Sequence, residues 1–155
     1  MRILTVLLAA TTLAACSHHY DDATDKAAEN ALNNWIAAVE SKDVNRVVKL
    51  YDDDAVLLAT FGAKPILTQE ARADYFKNKI FIRKDLKITV NELHTERDGD
   101  IALANGIYTF SFKQGGQTVK VPARFSFVFE EESEGWEIEA HHSSVVPREP
   151  SRATK

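Results

Sequence analysis

Apolar residues fall at helical spacing in the first half of this chain and at strand spacing in the second. Ala28, Leu32, Trp35, Ile36 and Val39 recur every three or four residues, which predicts an amphipathic helix ending near Glu40. Ser41 and Asp43 are both suited to cap a second, shorter helix. Val44, Val47, Val48 and Tyr51 share a face of that helix, and Asp52-Asp53-Asp54 closes it. Residues 55–59 read as a short apolar strand, and Phe61-Gly62-Ala63-Lys64-Pro65 as a turn. Thr68 then caps a third helix over about 69–80, with Ala73, Phe76 and Ile80 on its buried side.

Beyond that point the period becomes two. Leu86, Ile88 and Val90 alternate with Lys87, Thr89 and Asn91, and an Asp98-Gly99 turn leads into a strand over 101–112. Gly115-Gly116 turns the chain into 118–129, and a loop over 130–135 turns it into 136–146. Helices followed by a run of antiparallel strands predict an α+β fold, with the helices on one face of a curved sheet. One domain over 26–147 follows, with a frayed, charged tail at 148–155.

The first residues carry a different pattern. Arg2 precedes an apolar and small-residue run, and no acid occurs before Asp21. That is the layout of a secretory signal over 1–15, too short for a membrane-spanning helix of roughly 20 apolar residues. Leu13-Ala14-Ala15-Cys16 resembles the bacterial lipobox, which implies that Cys16, the only cysteine, is acylated as the first mature residue. Residues 16–25 then form a lipidated tether. Ser17, with no Asp after the cysteine, points to the outer membrane under the enteric sorting rule, facing the periplasm. The formal charge of −4 disfavours nucleic acid, whose backbone demands a basic surface.

The order of elements, with its Ser41-Lys42-Asp43 break between helices, resembles the nuclear-transport-factor-2-like (SnoaL-like) superfamily. Pro122-Ala123-Arg124-Phe125-Ser126-Phe127-Val128-Phe129, then Gly135-Trp136-Glu137-Ile138 and His141-His142-Ser143-Ser144, are most similar to one branch of it. That branch is related to the association domain of calcium/calmodulin-dependent protein kinase II. The resemblance implies a cone-shaped curved antiparallel sheet around the N-terminal helices, a pocket between them, and a homodimer or larger homo-oligomer. It does not fix a reaction, because dehydratases, isomerases, cyclases and non-enzymatic assembly domains share this fold. No kinase glycine-rich loop or His-Arg-Asp segment is present.

Arg124 interrupts an apolar strand, and an unpaired guanidinium is costly to bury. If Phe129 pairs with Trp136, Arg124 faces His141; with a one-residue bulge in the loop it faces His142. Plain alternation puts Trp136, Ile138, Ala140, His142 and Ser144 on one face, and Glu137, Glu139, His141 and Ser143 on the other. Arg124, His142 and Ser144 are therefore expected to line the pocket, with Tyr108 as a further hydrogen-bond donor. One reading of this set is a site for a small anionic or carbonyl-bearing ligand. The other is a structural polar cluster, and the residues leave both open.

Any catalysis would need His142 as base, since the strand acids fall near water or strand ends. An isomerase, dehydratase or cyclase is thus the alternative to a binding or assembly module, and a purely structural envelope protein is the third. No cofactor and no metal site is expected. Asp52-Asp53-Asp54 lacks the ligand spacing and glycine of a calcium loop, and His18-His19 has no third ligand nearby. Phe125, Phe127 and Phe129 form an apolar strand face, suited either to a partner or to the core.

Overall fold

The computed structural model describes residues 26–147. The expected signal peptide over 1–15, acylated Cys16, tether over 16–25 and tail over 148–155 lie outside the described residues. Helix α1 (Lys26–Ser41) is followed by α2 (Val44–Val48), β1 (Tyr51–Leu58), α3 (Gln69–Tyr75) and a π-helical turn (Phe76–Ile80). Four long strands complete the domain: β2 (Lys84–Asp98), β3 (Ile101–Gln114), β4 (Gln117–Glu132) and β5 (Gly135–Val145). The sheet order is β1-β5-β4-β3-β2, antiparallel throughout except that β1 runs parallel to β5. No helix among the described residues is long and apolar enough to cross a membrane.

The caps follow the side chains available. Asp43 accepts from the backbone N–H groups of Asn45 and Arg46, and Thr68 Oγ1 accepts from that of Ala71. Two expectations change here. Asp52, Asp53 and Asp54 belong to β1 instead of closing α2. Helix α3 buries Arg72 and Tyr75, while Ala73 is only half-buried.

Arg72 is fully buried because its guanidinium pins β1: Nη1 donates to the Ala55 carbonyl, and Nη2 to those of Asp52 and Asp53. A bulge at Asn91 in β2 lets Gly106 of β3 close on the Glu92 carbonyl, where a Cβ would sit 1.9 Å from the oxygen. Bulges bend a strand and increase its twist, and this one curves the sheet around α1. Phe125, Phe127 and Phe129 face α1 and are core residues.

All the described helices lie on the concave side. The outer row of β4, reading from Lys120 through Pro122, Arg124, Ser126 and Val128 to Glu130 and Glu132, is at least partly open to solvent.

Candidate functional site

The β4–β5 hairpin decides which polar groups enter the cone. Strand β4 continues through Glu132, so the turn is only Ser133-Glu134, and Phe129 pairs with Ile138 rather than with Trp136. The ladder then slips by one residue at Glu139, which has no partner, and resumes as Val128–Ala140 and Phe127–His141.

A single bulged residue reverses the alternation beyond it. Ile138 points inward, and so do His141 and Ser143. His142 and Ser144 turn outward.

The expected site is corrected accordingly. Arg124 pairs with neither histidine but with Ser144, and its Nη2 donates to Ser144 Oγ at 3.0 Å on the exposed outer face. His142 is exposed, and Ser144 half-buried beside it. Both line an open hollow of about 340 Å³ outside the cone, with Leu58, Lys64, Pro65 and Val145. Arg124, His142 and Ser144 are thus neighbours, but not in the interior. Of the expected residues only Tyr108 stands inside, fully buried.

The interior polar group joins Trp35, Tyr51, Tyr108 and Thr60 to His141 and Ser143, the two residues that plain alternation places on the opposite face. Trp35 Nε1 donates to the Tyr51 hydroxyl at 2.9 Å, and that hydroxyl lies 2.9 Å from His141 Nδ1. Indole N–H only donates, so the Tyr51 oxygen accepts from Trp35 and gives its own proton to Nδ1. His141 therefore carries its proton on Nε2, directed at the Tyr108 oxygen 3.4 Å away. Tyr108 donates to Ser143 Oγ at 2.7 Å, and Ser143 is bonded in turn to Thr60.

Burial, with a lesser contribution from neighbouring His142, pushes the His141 imidazole down to about 3, so it is neutral at physiological pH. Its ring stacks on Phe127 at 3.8 Å between centroids and meets the edge of Trp35 at 5.1 Å. Burial also raises the Tyr51 and Tyr108 hydroxyls well above the ordinary tyrosine range.

The cavity beside this network measures about 10 Å³, walled by Trp35, Leu57, Tyr75, Phe76 and Phe110, and among the described residues no carboxylate lines it. That is room for about one water. A neutral imidazole with Nδ1 occupied and Nε2 protonated is a hydrogen-bond donor, not a poised base. Thr60 and Ser143 line both this cavity and the outer hollow, so their contact is the wall between them.

At the opposite end of the outer face, carboxylate oxygens of Asp52, Asp54 and Glu139 lie within 4.8 Å of one another. Asp52 is held low by the Asp54 backbone N–H, while its bond to the Asp54 side chain and the nearby charges raise Asp54. Glu137 and Glu139 are raised by burial first and then by this acidic surrounding.

The SnoaL-like domain family model matches residues 28–149. A Xanthomonas campestris protein assigned as a calcium/calmodulin-dependent protein kinase II association domain is 31% identical, with a TM-score of 0.71 over 77% of this chain and 86% of its own. A Streptomyces avermitilis protein of the nuclear-transport-factor-2-like family, assigned as a dehydratase, superimposes with a TM-score of 0.74 at 15% identity, over 83% of this chain and 100% of its own. The S. rosetta CaMKII hub does so with a TM-score of 0.69 at 16% identity, over 79% of this chain and 96% of its own. At those lower identities the likeness is one of fold. Among curated proteins, none matches this chain significantly.

Proposed function

The chain belongs to the SnoaL-like domain family, and on that premise we propose that it is a non-catalytic assembly module, tethered to the bacterial envelope through an acylated Cys16. Copies associate through the outer face of the sheet. The observation that carries this reading is that face itself: every helix packs on the other side, leaving Val56, Leu58, Leu103, Ile107, Val128 and Ala140 with no described element over them. Val56, Ala140, Val128 and Leu103 lie in register across β1, β5, β4 and β3, and an apolar strip of this kind on a polar surface marks an interaction site. Likeness to the Xanthomonas association-domain protein and to the S. rosetta hub supports self-association as its use.

The interior supports a role other than catalysis, since its polar groups bond to one another around a space of one-water size. A small anionic ligand finds better chemistry at the outer hollow, where Lys64 and His142 stand beside the Arg124–Ser144 pair and, among the described residues, no carboxylate lines the wall. The lipid anchor rests on Leu13-Ala14-Ala15-Cys16 alone, and labelled-palmitate incorporation lost in Cys16→Ser tests it.

Sedimentation equilibrium of residues 17–155 tests the assembly reading. A dimer or larger species is expected, weakened by Ile107→Glu with folding retained. A strict monomer at high micromolar concentration overturns it. Succinate should shift the His142 imidazole resonances, and their constancy would remove the ligand.

A further inference from the structure

Between the π-helical turn and β2 the chain points an isoleucine into solvent. Ile82 is 67% exposed, more than any other large apolar side chain among the described residues. Its neighbours hold it there. Phe81 packs against the core, and its N–H closes the π-helical turn on the Phe76 carbonyl at 2.8 Å. The Arg83 N–H bonds the Ile80 carbonyl at 3.1 Å, and its guanidinium lies over the rings of Phe61 at 3.9 Å and Phe112 at 5.0 Å. Lys42 Nζ donates to the carbonyls of Phe81 and Arg83, at 3.0 and 2.6 Å. Ile82 thus stands out from a fixed bend, where it forgoes the stabilisation that burial brings.

The same place gathers cations. Lys77 and Lys79 precede Ile82 in the π-helical turn, Lys84 follows it, and Lys113 stands opposite Lys84 in the β2–β3 ladder. Ile82, Arg83 and Lys113 line one hollow of about 270 Å³ with Phe112 and Gln114. Like charges directly opposite each other destabilise a sheet. No ion pair among the described residues involves Lys42, Lys77, Lys79, Arg83, Lys84 or Lys113, whereas Lys87 is already held by Glu40 at 2.7 Å. Of the nearby acids, Asp43 caps α2 and Asp74 accepts from Asn78, which leaves Asp85. The whole chain carries −4, so this end opposes the sign of the molecule.

We propose that this end of the domain docks on an anionic phospholipid surface, with Ile82 entering the boundary between headgroups and acyl chains and the lysines about it meeting lipid phosphates. A projecting apolar side chain among flexible point charges suits a yielding bilayer. An acidic protein would have to offer a pocket matched to it. The patch lies at the β2 edge of the sheet, whereas the apolar strip crosses β1, β5, β4 and β3, so docking and assembly use different surfaces. Docking stands without the lipid anchor and is compatible with it. Helix α1 begins beside Trp136 and ends next to Lys42, so its start lies about 24 Å from the patch. The expected tether over 16–25 reaches at most about 33–36 Å, long enough for an acylated Cys16 and a docked Ile82 to share one membrane.

Residues 17–155 contain no cysteine, so Ile82→Cys takes a single environment-sensitive fluorophore. Its emission should shift to the blue on vesicles of phosphatidylglycerol and phosphatidylethanolamine in 50 mM salt, and stay unchanged on phosphatidylcholine. The same label at Lys26→Cys, at the other end of α1, should not shift. Flotation of unlabelled protein with the phosphatidylglycerol vesicles gives the affinities. Lys84→Gln should bind about fivefold more weakly, and Ile82→Ser about as much. Lys26→Gln, which removes the same charge elsewhere, should bind like wild type. Circular dichroism confirms that each variant is folded. Wild type that does not float overturns the proposal, and so does equal loss in Lys84→Gln and Lys26→Gln, which would reflect net charge alone. Ile82→Ser that binds like wild type also overturns it, because a purely ionic contact, open to any soluble phosphate, needs no isoleucine.

Discussion

Tyr51 donates its hydroxyl proton to Nδ1 of His141 across 2.9 Å, and this bond fixes the imidazole as the Nε2–H tautomer. The assignment follows from Trp35, which can only donate to the same oxygen. Tyr51→Phe removes the partner of two buried groups at once. Since an unsatisfied buried donor or acceptor costs about 1–3 kcal/mol, the variant should lose about 2–4 kcal/mol in urea unfolding. Tyr108→Phe, whose contact to His141 is long at 3.4 Å, should lose less.

The neutral state of His141 has a pH signature. Its pKa is about 3 in the fold and about 6.5 in the unfolded chain, so between those values the unfolded state binds the extra proton. Its contribution is fully present above about pH 6.5 and declines as pH falls toward 3. Its share of the slope is about 1.4 kcal/mol per pH unit. Unfolding of wild type and His141→Gln at pH 7.5 and 5 should show a shallower acid loss in the variant. Equal slopes would mean that His141 titrates normally.

Gly106 and Gly62 form a matched pair. An added Cβ at Gly106 meets the Glu92 carbonyl oxygen at 1.9 Å, a backbone atom that cannot swing away, whereas at Gly62 it meets Ala59 Cβ at 3.4 Å. Overpacking of this kind costs about 1–3 kcal/mol. Gly106→Ala should therefore lose about 3 kcal/mol or fail to fold, while Gly62→Ala melts within a few degrees of wild type. Similar melting temperatures would show that β2 can slide.

Much of this architecture is legible in the residues, and the exceptions have local causes. Helical spacing located α1, and Asp43 and Thr68 announced their caps. Arg72 was not legible: an arginine at helical spacing beside alanines reads as exposed until β1 presents three carbonyls to it. One residue of β5 reverses the inward set. Alternation along β5 is regular on each side of Glu139, and nothing in Ile138-Glu139-Ala140 announces a bulge. Charge directly after a buried isoleucine was the only hint. Regular alternation therefore points His142 and Ser144 into the interior, which instead holds His141 and Ser143.

The bulge at Glu139 offers the sharpest test of the sheet. Because Glu139 is the extra residue, removing it should leave every side chain beyond it on its present face. Ile138 points inward, and a regular ladder from Ile138 to Ala140 would put Ala140 out, His141 in and His142 out, as they already are. The cost is confined to relaxing the bend and refitting β1, whose own register is irregular between Tyr51 and Val56. Deleting Ser143 instead brings Ser144 inward next to Thr60 and reverses the outer partner of Arg124, which now donates to Ser144 Oγ. Deleting Ala140 is equivalent to deleting Glu139, except that a glutamate then occupies the outer rung beside Val128. All three deletions in β5 can be compared by thermal unfolding, with the His141 imidazole resonances as the reporter of burial. The expected result is a folded Glu139 deletion, with His141 still neutral at pH 5. A Glu139 deletion in which His141 titrates near 6.5 would mean that the bulge does not set the inward face.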